Sequence, residues 1–247
     1  MRLEFFGTKG FVPESSRSHR GHSALVVEAG GFRLLCDFGE NRRALLGSIR
    51  PDAIVISHAH PDHGGGLAGG ASVPVYASAV THRIQKGLPY ADRRTLSAGR
   101  PVRIGPFRLA AFPVIHSVRC PCMAIRLTAE GTTLVYSGDI VAFPRPEKVL
   151  PGADVYIGDG STLSATLVRR HPSGVLIGHT SVRAQLGWLA RAGVPRAIFT
   201  HFGRGPIRMG ERALAAALAD LAATRAPGCE VTAARDGLVL EIEPLSS

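Results

Sequence analysis

Short apolar runs that end in a polar residue form the clearest pattern along this chain. They cover residues 53–56, 112–115, 133–138 and 197–200, and residues 1–7 have a similar apolar character. Runs of this length, bounded by turn residues, are typical of buried strands, whereas helices need longer periodic segments. We therefore predict a strand at each of these five places.

Two segments instead have the period of a helix with one apolar face. Over residues 184–192 and 211–223 the apolar positions recur at helical spacing: Leu186, Leu189 and Ala190 in the first, and Leu214, Leu218 and Leu221 in the second. Such spacing predicts helices that pack on the core. A short apolar run over residues 175–177 precedes the first helix and the run 197–200 follows it, so we predict a β-α-β unit there.

Histidine is concentrated directly after the run 53–56. Residues 57–65 read Ser-His-Ala-His-Pro-Asp-His-Gly-Gly, which places four residues of metal-ligand type within six positions. In a strand-to-loop transition, His58 and His60 can turn toward one ion, while Asp62 and His63 can reach a second. Nitrogen and oxygen ligands without thiolate suit Zn²⁺, and they also accept Mn²⁺ or Fe²⁺. The segment therefore predicts a site for divalent metal.

Three further residues of this type each close an apolar run. His116 follows residues 112–115, Asp139 follows residues 133–138, and His201 follows residues 197–200. The ends of buried strands meet at one edge of a sheet, where open α/β folds place their ligand sites. We therefore expect all seven residues to gather around two ions, although any one of them alone would more often be structural.

The order His-x-His-x-Asp-His, then a histidine, an aspartate and a histidine, resembles the metallo-β-lactamase superfamily of dinuclear hydrolases over nearly the whole chain. The resemblance implies a four-layer αββα sandwich of the α+β or α/β class. It also implies that Asp37 supports the metal loop from behind. The implied ligands are His58, His60 and His116 for one ion, Asp62, His63 and His201 for the other, and Asp139 as the bridge.

Shorter segments resemble the ribonuclease Z and related phosphodiesterase branch of that superfamily. Residues 6–10 are similar to its Gly-Thr-Gly start, and residues 178–181 are similar to its His-Ser-Thr motif. Asp159 stands where that branch has the glutamate of a His-Glu-Ala-Thr motif, although residue 158 is Gly instead of His. The resemblance implies that Asp159 orients His179. A simple turn aspartate in a Gly-rich loop remains the alternative for Asp159.

The spacing after His116 bears on the substrate. Ribonuclease Z proteins that act on precursor tRNA commonly carry a protruding arm between this histidine and the bridging aspartate, but only 22 residues separate His116 from Asp139 here. Two strands, one after Cys122 and one ending at Asp139, use most of these residues. The chain therefore resembles the armless phosphodiesterases of that branch.

The expected activity is hydrolysis of a phosphodiester by a hydroxide that bridges two divalent ions. Asp62 would help to take the proton of the attacking water, and His179 would protonate the leaving group as a general acid. Metal ligands alone leave open a superfamily hydrolase that acts on a thioester, lactone or β-lactam. They also leave open a metal-binding protein without turnover.

The charge favours anionic partners. The formal net charge is +10, from 29 Lys and Arg residues against 19 acidic ones, although arginine-rich composition bias explains such an excess equally well. No run of basic residues of the nucleic-acid type is present, so the sequence leaves open whether the phosphodiester is a small molecule or a nucleic acid. Arg17 and Arg20 lie in a basic segment after the first turn, and we predict that one of them grips a substrate phosphate.

Length and composition predict one domain over residues 1–247, because 45% hydrophobic content suffices for a large core. No apolar stretch approaches 18 residues, so we expect a cytoplasmic protein without a membrane span. Dimer formation is left open. The cysteines do not suggest a disulfide framework. Cys120 and Cys122 lie near the expected rim of the site, where a third metal or a redox switch is a minor hypothesis.

Overall fold

The structure is a computed structural model that describes residues 1–244. Its strands, in chain order, are β1 Arg2–Gly7, β2 Ala24–Ala29, β3 Phe32–Cys36, β4 Ala53–Val55, β5 Val75–Ser78, β6 Arg93–Leu96, β7 Val102–Ile104, β8 Phe107–Val114, β9 Cys122–Ala129, β10 Thr132–Tyr136, β11 Val155–Asp159, β12 Arg169–Arg170, β13 Leu176–Ile177, β14 Arg196–Thr200, β15 Glu230–Ala233 and β16 Val239–Glu241. The α-helices are α1 Leu46–Ile49, α2 Pro61–Gly64, α3 Ala79–Ile84, α4 Val182–Ala192, α5 Arg204–Met209 and α6 Glu211–Arg225. Single 3₁₀ segments cover Glu40–Leu45, Gly65–Gly69 and Pro146–Lys148.

Two seven-stranded sheets form the centre of the molecule. The first has the strand order β16-β1-β2-β3-β4-β5-β6, and the second has the order β15-β14-β11-β10-β9-β8-β7. Alternate residues of β1 and β8 are buried, among them Leu3, Phe5, Phe107 and Leu109, and they belong to one apolar cluster shared by both sheets. This period of two is expected of strands that turn one face to a core.

Helices and loops cover the outer faces of both sheets, which completes the four layers. On the second sheet, α4 and α6 bury Leu186, Leu189, Leu214 and Leu218 against residues such as Tyr156 of β11. On the first sheet, Ile49 and Leu67 pack against β3 and β4. Every residue of β10 and β11 is buried, as expected of central strands covered on both faces. The αββα sandwich predicted from the sequence is confirmed.

The direction of the strands explains why the site forms at one edge. Strands β3 to β6 are parallel in the first sheet, and β10, β11, β14 and β15 are parallel in the second. Strand β8 is antiparallel to β9, which is antiparallel to β10, so β8 also ends at the same edge as β10. The loops after β3, β4, β8, β10, β11 and β14 therefore meet at one rim.

The segment between β8 and β10 contains no arm. Strands β9 and β10 use residues 122–136 in an antiparallel hairpin that pairs Ala129 with Thr132. The two turn residues, Glu130 and Gly131, both have positive φ (51° and 71°), which matches the twist of a tight two-residue hairpin turn. The sequence-based expectation of an armless chain is confirmed.

Two details of the sequence-based prediction are wrong. Strand β13 pairs only with β12, in a separate two-stranded sheet, so it does not form the predicted β-α-β unit with β14. The crossover that exists runs from β11 through α4 to β14, which are parallel neighbours. Ala190 of α4 is exposed, because the buried stripe consists of Val182, Gln185, Leu186 and Leu189. Within the described residues, no helix is both long and apolar enough to span a membrane.

We expect Phe107→Ala to lower the free energy of unfolding by about 3–5 kcal/mol, because it leaves a cavity between the sheets. The Phe107 side chain is fully buried and packs edge-on against Phe32, with 6.3 Å between ring centroids. Urea unfolding followed by circular dichroism measures the change. Val239→Ala, at an exposed position of β16, is the control and should stay within about 0.5 kcal/mol of the wild type. Equal stability of both variants would contradict this account of the core.

Candidate metal centre and active site

Three histidines and one aspartate from three loops form a first ligand group. Nε2 of His58 lies 2.9 Å from Nδ1 of His60, and Nε2 of His116 lies 3.3 Å from the same Nδ1. Oδ2 of Asp139 is 3.6 Å from Nε2 of His58 and 3.5 Å from Nε2 of His116. Nitrogen ligands about 2.0–2.1 Å from a tetrahedral zinc ion lie at about such mutual distances. These four side chains could hold one ion.

A second ligand group lies directly beside the first and shares Asp139 with it. Nε2 of His201 is 3.1 Å from Oδ2 of Asp62 and 3.3 Å from Oδ1 of Asp139. Nε2 of His63 is 3.0 Å from the same Oδ1 and 3.7 Å from Oδ2 of Asp62. Asp139 therefore turns one carboxylate oxygen to each group, the arrangement that a bridging ligand requires. The seven residues proposed as ligands from the sequence are brought together.

The chemistry of these atoms fits a pair of cations. Oδ1 of Asp139 and Nε2 of His63 are buried and make no hydrogen bond with the described residues. Buried polar atoms are nearly always partnered, so two such orphans facing each other at 3.0 Å indicate a ligand that both could contact. Nitrogen and carboxylate oxygen donors suit a divalent transition metal.

The first group favours neutral imidazoles. Burial lowers the pKa of His58 well below its usual value, lowers that of His60 to about 4, and lowers that of His116 as well. A histidine binds metal only through a neutral ring nitrogen. These three side chains are therefore held in their metal-binding form at neutral pH.

The second group is dominated by carboxylates. Burial opposes the charged form of His63, but Asp139, Asp62 and Asp37 outweigh it and raise its pKa well above the usual value. In the same way Asp139 and the hydrogen bonds to Asp159 and Asp62 outweigh burial and raise the pKa of His201 to about 10. Burial favours protonated Asp62, yet His63 and His201 lower its pKa to about 2. The excess negative charge that holds protons on these histidines would equally hold a cation.

Asp37 orients the metal loop from the end of β3. Its Oδ2 accepts hydrogen bonds from the Ser57 hydroxyl, the Tyr136 hydroxyl and Nδ1 of His63, each at 2.7 Å, and its Oδ1 accepts from the Ser57 backbone N–H at 2.7 Å. The side chain is fully buried, and the backbone adopts φ 59°, a left-handed value. Asp37 thus fixes the ring of His63 with Nε2 toward the second group. The contacts of Tyr136 and Ser57 with Asp37 were not foreseen from the sequence. Tyr136 sits within an ordinary strand pattern, and Ser57 stands in the histidine-rich segment without being of a metal-ligand type.

Three of the other ligand rings, those of His58, His116 and His201, are also held through their second nitrogen. Nδ1 of His116 lies 3.0 Å from the Gly178 carbonyl, and Nδ1 of His58 lies 3.0 Å from the Ser57 hydroxyl. Nδ1 of His201 lies 3.0 Å from the Ser161 hydroxyl, which donates to Oδ1 of Asp159 at 2.6 Å. Such partners fix the tautomer and the orientation of a metal-binding imidazole.

Asp159 and His179 form a hydrogen-bonded pair beside the ligands. Nδ1 of His179 lies 2.7 Å from Oδ2 of Asp159, a fully buried carboxylate. Burial disfavours a charged His179, but Asp159 outweighs it and raises the pKa of His179. Asp159 also accepts from the Ser161 backbone N–H at 2.9 Å, so it stabilises the turn as well. The pairing role and the turn role proposed for Asp159 are therefore compatible with each other.

Gln185 of α4 holds Asp159 in place and was missed in the sequence. Its Nε2 donates to the Asp159 carbonyl at 2.7 Å, and its Oε1 accepts from the Asp159 N–H at 3.2 Å and from the Tyr156 hydroxyl at 2.8 Å. The side chain is fully buried. The available signal was a polar residue within the apolar stripe of a helix, since Gln185 lies between Val182 and Leu189 on the buried face.

A cavity of about 360 Å³ opens onto the ligands and the pair. Its walls contain Asp62, His116, Asp139, His179 and His201, together with apolar residues of two loops, Phe11, Val12 and Leu167. The backbone of Gly10 approaches the His201 ring so closely that an added Cβ would lie 3.0 Å from it. This contact explains the glycine that ends the motif over residues 6–10.

Two predicted substrate residues do not line this cavity. Arg17 and Arg20 are exposed, and neither side chain belongs to its walls. Their role in substrate binding stays a prediction without support from the geometry. Cys122 is buried and Cys120 half-buried, and both are free thiols. Neither belongs to a cluster of potential metal ligands among the described residues.

Comparison with known proteins agrees with the fold. The family described as "Beta-lactamase superfamily domain" matches residues 10–202, most of the chain. The chain belongs to the metallo-β-lactamase superfamily. With its two clusters of histidine and aspartate, it is a metal-dependent hydrolase of that superfamily.

Individual relatives in this superfamily are distant. The ribonuclease Z of Bradyrhizobium diazoefficiens is 34% identical over 140 residues, which cover 46% of this chain and 46% of that protein. The chain spans about half the length of the first curated relatives it matches, or less. The metallo-β-lactamase fold protein YhfI from Bacillus subtilis has a TM-score of 0.77 at 23% identity, covering 97% of this chain and 98% of YhfI. A diphosphatase from the PhnP family has a TM-score of 0.73 at 21% identity, covering 98% of each chain.

We expect Asp37→Asn to weaken metal binding by about 10- to 100-fold, because an amide cannot accept all four hydrogen bonds that the carboxylate accepts. Competition against a chromogenic chelator measures the affinity. Tyr136→Phe removes only one of the four donors, so it should weaken binding less. Circular dichroism verifies that both variants remain folded. Unchanged affinity in folded Asp37→Asn would show that Asp37 does not orient the ligands.

Proposed function

We propose that this superfamily hydrolase is a dinuclear phosphodiesterase. The observation that carries the proposal is the His179–Asp159 pair, because His179 lines the same cavity as five of the seven ligand side chains: His60, Asp62, His116, Asp139 and His201. Phosphodiester hydrolysis needs an anionic group bound, a water activated and a poor leaving oxygen protonated. Asp62 and His179 in the cavity walls are the candidates for the last two requirements, and bound ions would meet the first.

The acid is His179. Its Nδ1 is committed to Asp159, which leaves Nε2 for a substrate in the cavity that His179 lines. The raised pKa favours the imidazolium form at neutral pH, and a protonated imidazole can donate to an alkoxide as the P–O bond breaks. Asp159 stabilises that charge and holds the ring in one orientation.

The ligand side chains would position the ions, most simply two Zn²⁺, with Mn²⁺ or Fe²⁺ as alternatives. When bound, two such ions supply a water of lowered pKa and neutralise charge on the phosphate oxygens. Asp62, ionised at neutral pH, can accept a proton from the attacking water. The partial match to a protein named ribonuclease Z supports a phosphodiester as the substrate.

One observation favours a second candidate, the hydrolysis of a neutral ester such as a lactone or thioester. None of the described residues that line the cavity is Lys or Arg, although the whole chain carries 29 of them. A binding site for a phosphate monoester or polyphosphate normally contains Lys or Arg side chains. A diester carries only one negative charge, so the ions and His179 suffice for it.

A substrate panel separates these functions. Protein loaded with two equivalents of zinc is offered a nitrophenyl phosphodiester, a lactone, a thioester and a short RNA, each with and without chelator. We expect chelator-sensitive cleavage of the phosphodiester. Cleavage of the lactone or thioester alone would overturn the proposal in favour of the second candidate.

We expect His179→Ala to lower kcat by about 10²–10⁴-fold for a diester with an alkyl leaving group, and much less for one with a nitrophenolate leaving group. Nitrophenolate leaves without protonation, whereas an alkoxide needs the acid. Steady-state kinetics on both diesters measures the difference.

Metal content, measured by atomic emission, must stay at two ions per chain for that comparison to hold. His171→Ala is the matched control, because His171 lies on the β12–β13 hairpin outside the cavity walls. An equal loss on both leaving groups would assign His179 to metal or substrate binding instead of acid catalysis.

A further inference from the structure

An apolar rim, formed by Phe11, Val12 and Leu167, borders the cavity beside the catalytic groups. The side chain of Phe11 is 64% exposed and that of Leu167 is 49% exposed. Scattered surface apolar residues need no explanation, but a group of them at the mouth of a cavity that also holds polar catalytic groups is typical of a ligand site.

The Phe11 loop is held in place by several independent contacts. The Gly10 N–H donates to the Phe202 carbonyl at 3.0 Å, and Nζ of Lys9 donates to the Val12 carbonyl at 2.9 Å. Glu14 follows directly, and its carboxylate binds Arg204 at 2.9 Å and Arg208 at 2.7 Å. The Phe11 ring contacts the ring of His22, with 5.7 Å between centroids, but most of its surface stays exposed. That surface is apolar area which a substrate group at the cavity mouth could bury.

Leu167 is held next to the acid. Its backbone N–H donates to the His179 carbonyl at 3.2 Å, and Gly178 leaves space for the Leu167 carbonyl, since an added Cβ there would lie 2.2 Å from that oxygen. Gly10, the neighbour of Phe11, packs on the ring of His201. On one loop, Phe11 of the rim therefore follows directly after Gly10, which contacts the ring of His201. On the other loop, Leu167 is hydrogen-bonded to the backbone of His179.

The size and charge of the cavity limit what the rim can take. About 360 Å³ is near the lower end of ligand sites, so a phosphate with one ring-sized substituent fits within the walls, whereas a polymer would have to extend beyond them. The described walls contain no Lys or Arg to meet a second phosphate. Flat aromatic groups bind well against an exposed phenyl face.

We infer that the substrate is a small phosphodiester with an aromatic substituent, which packs on Phe11, Val12 and Leu167 while its phosphate lies at the ligand groups. The inference rests on the proposed phosphodiesterase function and names its substrate class. Phe11 acts here as the residue that determines specificity, since it gives the rim its aromatic face.

Binding of two uncleavable probes tests the inference. Methyl(phenyl)phosphinate and dimethylphosphinate are both monoanions that differ only in a phenyl or methyl group. Both of their carbon substituents are joined by P–C bonds, which hydrolysis does not cleave. Calorimetric titration of zinc-loaded protein should give an affinity about five- to tenfold higher for the phenyl probe. Phe11→Ala should remove most of that preference, and Phe11→Trp should retain it. Val239→Ala, exposed on β16, is the control and should keep the wild-type ratio.

Kinetics on methyl and phenyl 4-nitrophenyl phosphate, which share a leaving group, should show the same preference in kcat/KM. Equal binding of both probes by the wild type, or an unchanged ratio in Phe11→Ala, would show that the rim does not select an aromatic substituent. The proposed phosphodiesterase function would be unaffected by that result. If neither probe binds and neither diester is cleaved, both the proposed function and this inference are wrong.

Discussion

Four carboxylates buried at one edge of the sandwich are the constraint on which the rest of the structure depends. Asp37, Asp62, Asp139 and Asp159 are all at most 3% exposed, and among the described residues their ion pairs are with histidine alone. Burying negative charge without compensation is costly, so the site must hold either protons or cations. Two divalent ions would offset the four charges and release the histidines to act as neutral ligands. Without ions, the same carboxylates favour protonated His63 and His201, which is why the pKa of each is raised.

The backbone is adapted to deliver these groups from the ends of strands. Asp37 and His201 adopt φ values of 59° and 55°, and Gly138, just before Asp139, adopts 58°. Left-handed backbone costs a non-glycine residue on the order of 1 kcal/mol or more, and it persists where surrounding contacts fix it. The four hydrogen bonds of Asp37 supply such contacts for the first sheet. On the second sheet, the Ser161 hydroxyl lies 3.0 Å from Nδ1 of His201. Sharp turns at the strand ends bring the loops of both sheets to one pair of ion positions.

The ligand set could be predicted because the fold places strand ends at one edge, and a histidine or aspartate directly after an apolar run is visible in the sequence. His116, Asp139 and His201 all met that criterion. Gln185 and Tyr136 could not be assigned in the same way, since a single polar group within a helix or strand has no visible partner until the sheets are packed. The β13 prediction failed for a related reason: the three apolar residues 175–177 do not reveal which sheet, if any, a strand will join. Arg17 and Arg20 were predicted to bind phosphate only because they lie in a basic segment after the first strand. In the structure, both side chains are exposed and lie outside the cavity walls.

The acid and the second ligand group are not independent parts. Oδ2 of Asp159 binds His179, while Oδ1 accepts from the Ser161 hydroxyl that contacts Nδ1 of His201. One carboxylate therefore fixes both the proton donor and the orientation of a ligand ring. Gln185 clamps the backbone of Asp159 on both its N–H and its carbonyl, so the position of this carboxylate is set from α4. Because a shift of Asp159 would displace His179 and the ring of His201 together, this one residue fixes their positions relative to each other.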